Sequence, residues 1–221
     1  MHQHSCQTNI SEIPFFIWYR TQKFYQYSND SFCCDAFYIF AKGKEVGLFV
    51  SYSQRQVDNI NLIIDECNRN GLTIEQSAYV LATAYHEGYN PSVRNSRVTS
   101  IREFGGQKYL QSKKYYPYYG RGFVQLTWYD NYKKESDRLG VDFVHNPDYV
   151  LEEEHAADIL VHGMTHGRFT GKRLDQYIND KKKDYIGARR IINGTDKKEL
   201  IAGYAMKFEK CIDYEIKEVC N

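Results

Sequence analysis

The sequence predicts a mainly α-helical domain over residues 50–221, preceded at 1–49 by an extension of unassigned role. Two observations carry this fold class. From Ser53 onward, apolar residues recur three and four positions apart in successive segments, the mark of helices that bury one face. Capping residues and glycine stops bracket those segments. Before Ser53 neither a helical nor a strand period persists for long.

The extension holds two aromatic, β-prone pieces, Phe15–Tyr27 and Phe37–Phe40, separated by the polar turn Asn29-Asp30-Ser31. A β-rich appendage, a binding module and sequence ahead of the true start are all open readings. Order begins with a capping box of Ser53 and Gln56, after which Val57, Ile60, Ile64 and Cys67 repeat at helical spacing until Gly71. Thr73 and Gln76 form a second box. The helix they open carries Ala78, Leu81, Ala82 and Tyr85 on one face and runs into His86-Glu87-Gly88, with Asn90-Pro91 confirming the stop. From Tyr89 to Tyr118 the chain reads as a long polar loop around Gly105-Gly106, and loops of that length in compact domains are usually functional. Helical patterns resume at Lys133–Leu139, Glu152–Met164, Lys172–Ile178 and Asp184–Ile192. A last helix is predicted to open on a box of Asp196 and Glu199 and to bury Ile201, Tyr204, Ala205, Phe208 and Ile212.

Composition bounds the function. The chain has 29 Lys and Arg against 28 Asp and Glu, a net charge of +1, so nothing sequence-wide points to nucleic acid or to electrostatic membrane attachment. No apolar run has the length of a membrane span. The apolar piece Ile13–Tyr19 lacks the basic region and cleavage site of a signal peptide, so a cytoplasmic location is expected until release by another route. Of the six cysteines, Cys33 and Cys34 are adjacent, and Cys211 and Cys220 fall about 13 Å apart along one expected helix. Free thiols in a reducing setting are the reading. A monomer is expected, with no cofactor and no metal. His162 and His166 have the i, i+4 spacing of helical zinc ligands, but no Glu stands between them to complete a zincin motif. The basic run Lys181-Lys182-Lys183 is interleaved with Asp180 and Asp184 and reads as a solvated face.

The most informative stretch is Tyr115–Tyr132, YYPYYGRGFVQLTWYDNY. Eight of its eighteen residues are aromatic, two glycines flank Arg121, and Gln125, Thr127 and Asn131 follow at short intervals. Aromatic faces beside amides and hydroxyls suit a sugar ring, whose C–H faces stack while its hydroxyls need directional partners. An aromatic strand and turn packed into a core is the other reading.

The segment Tyr118–Tyr132 closely resembles the signature of glycoside hydrolase family 19, the chitinase and phage-endolysin family of the lysozyme-like superfamily. ATAYHEG at Ala82–Gly88 resembles its general-acid segment, and ARRIINGTD at Ala188–Asp196 its later substrate-binding stretch. The resemblance covers roughly 53–210. It implies a lysozyme-like, two-lobed helical domain with a cleft, and a polysaccharide as partner.

By that resemblance Glu87 is the general acid. Its place at a helix C-terminus, after an apolar turn, disfavours negative charge and so helps it hold a proton. Glu103 matches the second acidic residue of the phage-type members and is expected as a solvated base that activates water. Thr127 matches the hydroxyl that helps orient that water. Gln125, Asn131 and Asn193 match sugar-binding amides, and Tyr119 a ring on the cleft wall. For each of these a structural hydrogen bond at a turn is the plainer alternative. Asp130 stands where plant members carry Tyr, and no role is carried to it. The Arg and Glu network that plant members place behind the acid has no counterpart assignable from the sequence. The implied activity is inverting hydrolysis of β-1,4 bonds, on peptidoglycan first because 146–178 resembles compact bacterial and phage members. Chitin is the alternative substrate, and an inactive sugar-binding protein of the same fold the alternative function.

Overall fold

A computed structural model describes residues 41, 43, 46–49, 51–90 and 96–219, and 213–219 by backbone alone. Among these the fold is mainly α, in keeping with a lysozyme-like helical domain. Its helices are α1 (Gln54–Arg69), α2 (Ile74–Glu87), α3 (Gly106–Gln111), α4 (Tyr129–Leu139), α5 (Glu153–His166) and α6 (Lys198–Val219). Two small antiparallel ladders accompany them. β1 (Ile101–Arg102) pairs with β2 (Arg121–Gly122), Ile101 opposite Gly122, and β3 (Ile178–Asn179) pairs with β4 (Lys182–Lys183).

Both predicted boxes form at the starts of α1 and α2. The Ser53 and Thr73 side chains accept from the Gln56 and Gln76 amides, and each Gln side chain answers the backbone N–H of its cap. The predicted α2 face of Ala78, Leu81, Ala82 and Tyr85 is buried, but so is every residue from Ser77 to Tyr85. A helix buried on all sides lies inside the molecule. Its alanines let α6 approach most extensively, with α1 and α5 on other flanks, so α2 is the axis around which the domain is built. Ile60, Ile63, Ile159, Leu160 and Phe208 are fully buried around it, and each such side chain contributes about 1.5–3 kcal/mol.

Four residues upstream of the expected boundary, Ala41, Val46, Leu48 and Phe49, join this core. Phe49 meets Tyr85 edge-on at 5.2 Å, and the Tyr85 hydroxyl donates to the Leu48 carbonyl. The β-prone pieces Phe15–Tyr27 and Phe37–Phe40 lie outside the described residues, as do Cys6, Cys33, Cys34 and Cys220. Cys67 and Cys211 are free and buried. No described helix is long and apolar enough to cross a membrane.

Several predicted elements differ, beginning with the stretch read as a loop over 89–118, within which β1 and α3 form. Lys172–Ile178 is not an α-helix but a 3-10 turn at Leu174–Gln176 running into β3. Leu174 and Ile178 do reach the core, four apart as in a helix, but the Asn179 side chain accepts the Lys181 N–H at 2.9 Å and turns the chain into a hairpin. Asp184–Ile192 shortens to a 3-10 turn at Gly187–Ile191, because the Asp184 carboxylate takes the Gly187 N–H at 2.7 Å and tightens the start. The Asp196 box does not form. α6 starts at Lys198 after a left-handed Lys197 (φ 56°), and the Asp196 carbonyl accepts from Arg189 Nε at 2.9 Å.

Candidate active site

Glu87 is the last residue of the buried axial helix α2, and its carboxyl is partly exposed. Gly88 caps the helix. A Cβ there would lie 2.7 Å from the Thr99 carbonyl and 2.8 Å from that of Ala84, so only glycine lets the 96–100 segment lie against the end of α2. Thr99 N–H donates to the Gly88 carbonyl at 3.4 Å. Arg97 fastens the same junction, its guanidinium 4.4 Å over the Tyr85 ring and 3.9 Å over Tyr89 while it donates to the Tyr85 carbonyl.

The Glu87 carboxylate is not alone. Arg189 Nη1 donates to its Oε1 at 2.7 Å, and the Arg189 side chain is only 3% exposed. The pair fixes where the carboxyl points. Burial holds the neighbouring His86 below the usual imidazole range; Glu87 opposes this, while Arg189 and Arg97 add to it. The sequence did not disclose an Arg partner for Glu87; the structure pairs it with Arg189, which lies in the ARRIINGTD segment.

Glu103 continues from β1. It differs from the expected solvated loop carboxylate: Oε1 accepts from the Tyr115 hydroxyl at 2.6 Å and Oε2 from the Gly120 N–H at 3.0 Å. Its own N–H donates to the Gly120 carbonyl at 2.8 Å, extending the ladder. Two donors on two oxygens lock its orientation. The hydrogen bond to Glu103 is the main reason that the Tyr115 hydroxyl is pushed up to about 12. Tyr115 therefore remains a donor throughout the neutral range.

The signature segment folds back on itself through its polar side chains. Gln125 Nε2 donates to the carbonyls of Ile101 (2.9 Å) and Gly122 (3.2 Å), with the residue in the left-handed region at φ 56°. Both amide hydrogens are thus engaged, and its oxygen lies against Gly120, where a Cβ would come within 2.7 Å of it. Thr127 Oγ1 donates to the Gln125 carbonyl and Asn131 Nδ2 to that of Thr127, each at 2.8 Å. The turn-building alternative holds for these three donors, while the acceptor lone pairs of Thr127 and Asn131 retain capacity for a ligand. Tyr119 has the Arg121 guanidinium 3.7 Å over its ring. Arg121 is the buried hub of the turn, donating to Asp148, the carbonyls of Pro117 and Tyr119, and the Tyr132 hydroxyl.

One hydrogen-bonded path therefore joins most of the predicted residues. It runs from Glu87 and Gly88 through Thr99 into β1, across to Gly120–Gly122, and through Gln125 to Thr127 and Asn131. Asn193 is exposed and reaches this path only through its backbone, donating to the Arg189 carbonyl at 3.0 Å. Arg189 and Tyr115, which hold the two carboxylates, are the residues missed from sequence. His162 and His166 stack at 4.1 Å between ring centroids, and burial, followed by the Arg138 and His166 charges, brings His162 to about 4.

Comparison with known proteins finds short similarity to chitinases. Over 37 residues the chain is 59% identical to Chitinase 11 of Oryza sativa subsp. japonica, a stretch equal to 17% of this chain and 14% of the rice protein. Over 34 residues it is 56% identical to Chitinase 8 of the same plant, covering 15% of this chain and 13% of that relative. The matches span a small part of either length and relate that part of the chain to chitinases. No family model matches the chain.

Proposed function

We propose that this protein is a glycoside hydrolase that cleaves β-1,4 bonds next to N-acetylated amino sugars with inversion. Glu87 is the general acid, Glu103 the general base, and Thr127 orients the attacking water. Tyr119, Gln125, Asn131 and Asn193 contact the sugar chain. One observation carries the reading: Glu103 is tied to the β1–β2 ladder through Gly120, and Glu87 stands at the helix end whose Gly88 carbonyl accepts from Thr99, two residues before that ladder. Glu87 ends a buried helix with Arg189 on its carboxylate, and Glu103 is held by the Tyr115 hydroxyl and the Gly120 N–H. The short similarity to chitinases and the resemblance of Tyr118–Tyr132 to family 19 support the same chemistry.

Peptidoglycan is the favoured substrate, on the resemblance of 146–178 to compact bacterial and phage members. Chitin is the second reading, favoured by the rice chitinases that the chain matches. The hydrolase unit is taken to span 50–221. The deciding experiment is lysis of purified bacterial walls, followed by turbidity, beside cleavage of a soluble N-acetylglucosamine hexamer. Clearing of walls selects peptidoglycan, and hexamer cleavage alone selects chitin. Saturable binding of either without product would make the protein a sugar-binding relative.

A further inference from the structure

Trp128 combines three properties that the proposed chemistry does not use. Its side chain is about half exposed, at 52%. Its backbone lies at φ 79°, ψ 139°, a region that side chains larger than glycine rarely occupy and that is costly to hold. The conformation is imposed from both sides: Trp128 N–H donates to the Tyr118 carbonyl at 2.9 Å, while its own carbonyl accepts from Asn131 and Tyr132 at 3.1 and 3.2 Å. Glycine would meet these constraints without strain. The largest side chain stands there instead, half in water.

Its ring partner among the described residues is Tyr115, with centroids 5.3 Å apart and planes at 77°. Tyr115 is also the residue whose hydroxyl holds Glu103 at 2.6 Å. The indole is therefore braced edge-to-face by the side chain that positions the proposed base, and it follows Thr127 directly in the chain. Of the ten large hydrophobic side chains exposed among the described residues, five, Phe104, Tyr109, Tyr116, Trp128 and Tyr129, fall between 104 and 129. A half-exposed indole beside the polar groups of Thr127 and Asn131 offers a face for a ligand.

We infer that the Trp128 indole, braced by Tyr115, is a stacking platform for one pyranose ring of the amino-sugar chain, on the Glu103 side of the site. The inference rests on the hydrolase reading for the identity of its occupant. An indole face offers flat apolar area to the C–H face of a pyranose, and the adjoining Thr127 and Asn131 offer oxygens to its hydroxyls. Because Tyr115 contacts both the platform and Glu103, a sugar seated on Trp128 is registered against the proposed base.

The chain contains two tryptophans, so in a Trp18→Phe background Trp128 is the sole indole reporter. Combined with Glu87→Gln to prevent turnover, this protein is titrated with an N-acetylglucosamine tetramer and with solubilised glycan strands from bacterial walls. The platform predicts a saturable change in indole emission with at least one of the two. In the otherwise native chain, Trp128→Ala raises KM about tenfold with kcat changed far less, and Trp128→Tyr recovers most of the loss. Trp128→Gly, which relieves the backbone, raises the melting temperature while giving the same KM defect. Unchanged emission with both glycans, while the native chain hydrolyses its substrate and Glu87→Gln does not, overturns the platform and leaves the hydrolase reading intact. Saturable emission change in a chain whose wild type hydrolyses neither glycan upholds the platform and removes the hydrolase reading.

Discussion

Arg189 donates to the Glu87 carboxylate at 2.7 Å, joining two side chains 102 positions apart in sequence. The pair is asymmetric in exposure, with Arg189 at 3% and Glu87 at 21%, and Arg189 Nε is also bound by the Asp196 carbonyl. The Arg therefore couples the end of α2 to the start of α6 as well as setting the carboxyl.

Arg189→Ala is expected to lower stability by about 3 kcal/mol, because breaking a buried pair strands the remaining groups, and to reduce hydrolysis at the same time. Arg189→Lys should recover only part of either, since an ammonium cannot reproduce the guanidinium's two directed contacts. Urea denaturation and initial rates check this. A stability change within about 0.5 kcal/mol would place the pair among ordinary surface contacts.

What was legible in the sequence was what short-range chemistry decides. The Ser53/Gln56 and Thr73/Gln76 boxes, the Gly88 stop and the core faces of α1 and α2 are all set within a few residues. What was not legible depends on partners far away. Leu174 and Ile178 carry helical spacing, yet Asn179 turns the chain into β3 and β4. β1 is two residues long and exists only because Arg121 and Gly122 lie opposite. α4 starts at Tyr129, earlier than the predicted Lys133, because the Trp128 carbonyl accepts two amides of its first turn. The same division runs through the site. Glu87 and Glu103 were named from a motif, whereas Arg189 and Tyr115, their hydrogen-bond partners, come from 102 and 12 residues away.

Tyr115→Phe removes one of the two donors on Glu103 while keeping the ring against Trp128. A hydrogen bond to a charged group is worth about 1.5–3 kcal/mol, so kcat is expected to fall at least about tenfold with KM nearly unchanged. Since the Tyr115 hydroxyl loses its proton only near 12, the wild-type rate should show no limb from this group at neutral or mildly alkaline pH. Steady-state kinetics across pH provide the check, and a KM rise with kcat intact would assign Tyr115 to sugar binding alone.

Asp65 on α1 has a buried Oδ1 without a hydrogen-bond partner, and burial raises its carboxyl from 3.8 to about 6, with Arg69 pulling the other way and Glu66 adding to the rise. A raised carboxyl binds its proton more tightly when folded. Its contribution is therefore most favourable below 3.8 and is lost as pH rises through 6. Asp65→Asn should stabilise the protein by about 1 kcal/mol at neutral pH, allowing for screening of a half-buried group, and give no gain below the unfolded value of 3.8. Urea melts at the two pH values test the sign. An equal effect at both would dissociate it from ionisation.

An inverting mechanism leaves a stereochemical record. With Glu103 activating water on the face opposite the leaving group, the first product of a β-linked oligomer should be the α-anomer, visible by proton NMR before mutarotation. A β-anomer formed first would require Glu103 or another group to act as nucleophile.

The most direct measurement is the initial rate of glycan hydrolysis by Glu87→Gln, on whichever substrate the wild type cleaves, with far-UV circular dichroism confirming the fold. Gln is close in shape to Glu and has no proton to donate to the leaving oxygen. The account predicts that the rate falls on the order of 10²-fold or more with the fold unchanged. A near wild-type rate would remove Glu87 from the chemistry and with it the assignment of this site.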